Sequence, residues 1–166
     1  VKKGKLFQGT IYEVTAYLKT DINNEIKEFL RKTVENMGLE VTMEMSTKDD
    51  RVTIRMYSNK DYILIGKEGA TLKALETIAK QYIQNTTGIY YKFSLDVSNY
   101  KEKNNKRLEW LAKKTAKEVL ETNVPVALDN MTSYERIIHS ALTDFKGIKT
   151  ESEGEEPNRH IVIKPL

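Results

Sequence analysis

At 166 residues the chain has room for one domain or two small ones. A hydrophobic share of 39% and a charged share of 31% suit a well-solvated globular protein, and no apolar run approaches the ~20 residues needed to cross a bilayer. The absence of cysteine excludes disulfides, thiolate catalysis and Cys-zinc sites and is compatible with a cytoplasmic address. The net charge of +3 is too mild to identify a partner, so the placement of charge matters more than its total.

Residues 1–20 begin with Lys2-Lys3-Gly4-Lys5, lead into no apolar signal core, and carry a strand-like run from Tyr12 to Leu18. They read as the remnant of an upstream domain or linker. Asp21-Ile22-Asn23-Asn24 offers N-cap residues for a helix whose apolar positions are Ile26, Phe29, Leu30, Val34 and Met37, with Gly38 as the stop. Leu39, Val41, Met43 and Met45 alternate with polar residues. After the turn Thr47-Lys48-Asp49-Asp50, Val52, Ile54 and Met56 do the same, which is the pattern of a hairpin with one buried face. The short apolar segment Tyr62–Ile65 runs into Gly66-Lys67-Glu68-Gly69. A second helix follows with Leu72, Leu75, Ile78, Ala79 and Tyr82 on one face and Thr86-Thr87-Gly88 at its end. Residues 91–97 alternate again as a third strand. The order helix, strand, strand, short helix, glycine loop, helix, strand predicts an α+β layer fold over residues 21–97.

From residue 98 the texture changes, and a second small α+β domain is expected to run to residue 166. A long helix from Tyr100 to about Thr122 presents Leu108, Leu111, Thr115, Val119 and Leu120 as its mainly apolar stripe. Val124-Pro125-Val126-Ala127-Leu128 breaks that helix and reads as extended. A further helix covers about Ser133 to Phe145. Gly147 then leads into Ile148-Lys149-Thr150, an acidic loop Glu151–Glu156, and a strand Arg159–Ile163.

Glycines three apart, between two helices, let backbone come close to a phosphodiester where a side chain would hold the strand off. Gly66, Lys67, Glu68 and Gly69 have that spacing, and Ala70 and Thr71 open the next helix, whose first amides add partial positive charge beside that of Lys67. Glu68 places a negative charge beside the same path. The Walker pattern is absent, because Glu68 follows Gly66-Lys67 and Asp61 stands where its first glycine belongs. A bare GxxG is often only a turn. Here its flanking elements resemble a KH domain of the bacterial, type II element order, which implies a loop clamping about four nucleotides.

Arg136 and His139 are three apart on a helix and so can present two donors to one phosphate or base. The competing reading has Arg136 paired to an acid and His139 packing or capping. Tyr134–His139, followed by Thr150–Arg159, resembles the R-three-H domain, and Ser152-x-Gly154-Glu155-x-Pro157-x-Arg159 resembles the loop found in the Jag (SpoIIIJ-associated) family, which couples a KH domain to an R-three-H domain. The family pattern is Arg-x-x-x-His. Here Glu135 holds the arginine position and Arg136 is its neighbour, while His139 carries over. Lys2-Lys3-Gly4 resembles a motif near the end of the N-terminal domain of Jag proteins.

The resemblance implies a non-catalytic bacterial protein that binds single-stranded RNA, with single-stranded DNA the second candidate, in post-transcriptional or cell-elongation regulation. Gly66, Lys67, Glu68, Gly69, Ala70 and Thr71 would form one contact, and Arg136, His139 and Arg159 the other. It also implies a single-KH protein as partner and, in the alternative reading of an interaction adaptor, association with the membrane-insertion or cell-elongation machinery at the inner face of the membrane. No cofactor or small-molecule substrate is expected.

Lys101, Lys103, Lys106, Arg107, Lys113, Lys114 and Lys117 face only Glu102 and Glu109 across the same stretch. They form either a solvated helix face or a phosphate-tracking surface. Tyr90, Tyr91 and Trp110 could stack on bases, and for Trp110 buried packing is the expected reading. Two histidines, no cysteine and no G-x-S-x-G motif give no foothold for enzyme chemistry, and the acidic run reads as an exposed loop rather than a metal site.

Overall fold

The computed structural model describes residues 14–49, 51–128, 134–155 and 158–166. Two compact units divide the chain between Ser98 and Asn99. The expectations for Lys2–Lys5, for Tyr12 and Glu13, for a helix start at Ser133 and for Glu156 and Pro157 lie outside the described residues.

In the first unit helix α1 (Lys19–Asn36) buries Ile22, Ile26, Leu30 and Val34, one residue per turn along a single stripe. It starts two residues before the expected cap. Leu18, extended at φ −74° and ψ 140°, offers its carbonyl to the amides of Asp21 and Ile22, so Asp21 lies inside the first turn, where its charge favours the helix N-terminus. Residues 14–18 form no strand, contrary to expectation: no strand of the sheet pairs with them, and Val14, Tyr17 and Leu18 are exposed.

Strands β1 (Thr42–Lys48) and β2 (Arg51–Tyr57) pair antiparallel in the register Met45↔Ile54. Val52, Ile54 and Met56 are buried, whereas Met43 and Met45 on the outer strand are only half-buried. After β2 come helix α2 (Asp61–Ile65), a single 3-10 turn over Lys67–Gly69, and helix α3 (Ala70–Thr87). Strand β3 (Phe93–Val97) then lies parallel to β2 with Ile54 opposite Leu95, giving the order β1-β2-β3. Helix α3 buries Leu72, Leu75, Ala79 and Ile83. Ile78, expected inside, is exposed, and Tyr82 stacks on Phe29 at 4.2 Å between ring centroids. Glu76 of α3 accepts the Leu95 amide at 3.0 Å, so an acid on the helix satisfies a backbone donor of the sheet's outer strand.

In the second unit helix α4 (Tyr100–Thr122) buries Leu108, Ala112, Thr115, Ala116 and Val119. This stripe is offset from the expected one: Leu120 is 45% exposed and Trp110 is 62% exposed, so the tryptophan is on the outer surface and not in the core. Strand β4 (Val126–Ala127), helix α5 (Glu135–Leu142), strand β5 (Ile148–Glu153) and strand β6 (His160–Pro165) complete the unit, with sheet order β4-β6-β5, all antiparallel. Its core joins Ala116 and Val119 to Ile138, Leu142, Ile161 and Ile163. Glu151 and Glu153, expected in a loop, are strand residues. Lys164 of the neighbouring strand bridges both carboxylates, and this compensation makes an acidic strand tenable.

Candidate nucleic-acid interface

The segment between α2 and α3 turns on three left-handed residues. Gly66 has φ 71° and ψ −177°, a region essentially confined to glycine; Glu68 has φ 51° and ψ 29°; Gly69 has φ 81° and ψ 12°. A Cβ on Gly66 would stand 2.2 Å from the Thr71 hydroxyl oxygen and 2.9 Å from the Thr71 amide nitrogen, so the first glycine is required by space as well as by conformation. Lys67 and Glu68 are exposed at the apex, Gly69 is buried, and Ala70 at φ −61° and ψ −45° begins α3 with no side chain capping it. The Ala70 amide donates back to the Lys67 carbonyl and closes the turn, so Lys67 stands at the apex beside the N-terminus of α3.

The sequence reading missed Asp61. Its carboxylate accepts the Ser58 amide at 2.8 Å and the Ser98 hydroxyl in a short hydrogen bond, while the Ser98 amide donates to the Met56 carbonyl at 3.1 Å. The helix leading into the loop is thereby tied to the ends of β2 and β3. An Asp at the start of a predicted short helix was the available signal.

In the second unit His139 faces β5. Its Nδ1 is 2.7 Å from the Thr150 hydroxyl and its Nε2 3.3 Å from the Ser152 hydroxyl. Ser152 donates to Glu135 Oε2 at 3.2 Å, and Arg159 Nε donates to Glu135 Oε1 at 3.1 Å. His139 and Arg159 are thus brought together through Glu135 and Ser152. Arg136 does not join them. It is exposed on a neighbouring side of α5, lining an open groove of about 430 Å³ with Glu109, Lys113 and Ser140. Three residues on a helix turn the chain by about 300°, and here the i,i+4 pair Glu135 and His139 shares the strand-facing side.

Along β5, hydrogen bonds from Lys164 and then Lys149 push the Glu151 carboxyl down to about 2. Lys164 is raised by its bonds to Glu151 and Glu153. Among the described residues no group of His, Asp and Glu is placed to hold a metal ion, and no helix is long and apolar enough to cross a membrane.

Residues 23–95 match the family model described as KhpA/KhpB, KH domain, and residues 106–165 match that of the R-three-H domain. Curated relatives carry the name RNA-binding protein KhpB. The chain is 34% identical over 153 residues to the protein of Clostridium symbiosum, covering 90% of this chain and 69% of that one. It is 38% identical over 150 residues to that of Bacillus subtilis (87% and 71%). With the Lactiplantibacillus plantarum protein it shares 33% identity over 137 residues (82% and 42%), so it spans less than half the length of that longer relative. A KH domain followed by an R-three-H domain, at this identity and coverage, places the chain in the KhpB (Jag) family.

Proposed function

We propose that this protein binds single-stranded RNA and catalyses no reaction. The observation that carries the reading is the left-handed path through Gly66, Glu68 and Gly69, which presents Lys67 to a phosphodiester at an exposed apex beside the N-terminus of α3. Gly66, Lys67, Gly69, Ala70 and Thr71 seat the backbone, and Glu68 limits the charge at the apex. His139 and Arg159 provide a second contact. Arg136 belongs to the adjoining groove and reaches a different part of the strand. Affinity falls steeply with salt, and base preference is modest.

The Ser152–His139 pair does not favour hydrolytic chemistry. In a nucleophilic triad the acid orients the far ring nitrogen, whereas here that nitrogen meets Thr150 and the carboxylate of Glu135 bonds the serine itself.

The test is fluorescence anisotropy of labelled single-stranded RNA with the wild-type chain and a Lys67→Asp, Glu68→Asp double variant at low and moderate salt. Loss of binding in the variant supports the loop as the clamp. Equal binding by both proteins moves the site away from it, and no binding by either rejects the reading. Association with a single-KH protein and with the membrane-insertion machinery rests on the family resemblance. Pull-down with the same double variant separates it from RNA binding, because a protein-only contact is insensitive to the loop.

A further inference from the structure

We infer that the outward face of α4 is a third RNA contact, with Trp110 as a stacking platform for a base and the surrounding cations as a phosphate track. The inference rests on the RNA-binding reading above and adds a site to it. The core stripe Leu108, Ala112, Thr115, Ala116 and Val119 fixes the rotation of the helix and leaves Trp110 on the solvent side, 62% exposed. Positions three, four and seven residues away from a helical residue share its face. Around Trp110 all six are basic: Lys103, Lys106 and Arg107 before it, Lys113, Lys114 and Lys117 after it. All six are exposed.

Lys114 Nζ lies 5.3 Å from the indole centroid, a cation–π contact that steadies the ring without covering it. Lys106 pairs with Glu102 at 2.6 Å, but both side chains are well exposed, and such a pair exchanges readily for a phosphate. A flat aromatic surface ringed by cations is the combination that binds single-stranded nucleic acid without base preference. A lipid surface fits less well, because a helix lying on a membrane must bury an apolar face, and the apolar face of α4 is already in the core.

Trp110 is the one tryptophan of the chain, so its emission reports this face alone. Labelled oligouridine is titrated against the full chain while anisotropy and tryptophan emission are followed together. The expected result is quenching with the same midpoint as the anisotropy rise. Trp110→Ala weakens binding about tenfold and Trp110→Phe restores most of it. The combined Lys113→Gln, Lys114→Gln, Lys117→Gln variant lowers the slope of log K against log salt by about 2. An anisotropy rise with unchanged emission and an unaffected Trp110→Ala variant overturns this inference and leaves the RNA-binding reading standing. Absence of any anisotropy rise rejects both. Emission that responds to phosphatidylglycerol vesicles and not to oligouridine overturns the inference in favour of a lipid surface. The substitutions are at exposed positions, and circular dichroism checks that each variant is folded.

Discussion

Glu135 holds Arg159 across the second unit, its Oε1 taking the guanidinium Nε at 3.1 Å while its Oε2 takes the Ser152 hydroxyl at 3.2 Å. Helix α5, strand β5 and the approach to β6 are joined through this one carboxylate, whose side chain is 13% exposed against 47% for Arg159. A pair so open on one side contributes little net stability. A double-mutant cycle of Glu135→Ala and Arg159→Ala in urea should give a coupling of about 0.5–1 kcal/mol. A coupling indistinguishable from zero would show that the carboxylate does not anchor the arginine.

Gly66→Ala should destabilise the first unit by about 1–3 kcal/mol, because alanine must adopt φ 71° and place its Cβ against Thr71. Adding Thr71→Ala removes the hydroxyl clash but not the backbone nitrogen at 2.9 Å or the unfavourable φ, so thermal denaturation should show only partial rescue. Full rescue by the second change would refute this account.

Glu68 stands at φ 51°, a conformation that asparagine adopts more easily than glutamate. Glu68→Asn should therefore relieve the backbone strain at this position. With one negative charge removed from the exposed apex, affinity for single-stranded RNA should rise about fivefold at low salt, and the difference should shrink as salt screens it. Anisotropy titrations at two ionic strengths check both parts, and a fall in affinity at low salt contradicts the loop geometry proposed for RNA.

The Glu151 carboxyl is lowered from 4.5 to about 2 by hydrogen bonds from Lys164 and Lys149. A carboxyl depressed in the folded state adds stability that is present above about 4.5 and disappears as pH falls toward about 2. Melting temperature should accordingly fall more steeply over that interval in the wild type than in Glu151→Gln. Lys164, raised by the same contacts, keeps its side of these pairs while the carboxylates are ionised and loses it at the alkaline end only above its ordinary 10.5. Parallel slopes for the two proteins in acid would exclude the ion pairs as the cause.

Much of the first unit was legible because its patterns are local. Val52, Ile54 and Met56 alternate because one face of β2 is buried, and the glycines of the loop stand where φ must be positive. The errors share a different physical origin. Helix α4 carries apolar residues at more positions than one face can bury, so the expected stripe took in Leu120 and left out Ala112 and Ala116. Packing against Ile138 and Ile161 draws in the small Ala112 and Ala116 instead, while Trp110, about 200° around the helix from Leu108, stays on the outer side. Glu151 and Glu153 read as loop because their compensating charge, Lys164, is remote in sequence. Glu135 and Arg159 are likewise 24 residues apart, and no local pattern marks them as partners.

Val52 pairs in register with Phe93, and the whole glycine loop with both flanking helices lies in the connection between them. During synthesis the β1–β2 hairpin can close early, whereas the parallel pair must wait until β3 has left the ribosome and the intervening helices have collapsed onto the sheet. Since Asp61 is fastened to Ser98, the anchoring of α2, which leads into Gly66, is completed only after the last strand of its unit. A nascent or truncated chain ending before β3 carries the same tetrapeptide without the tie that fastens its leading helix, so a firmly mounted loop coincides with completion of the domain.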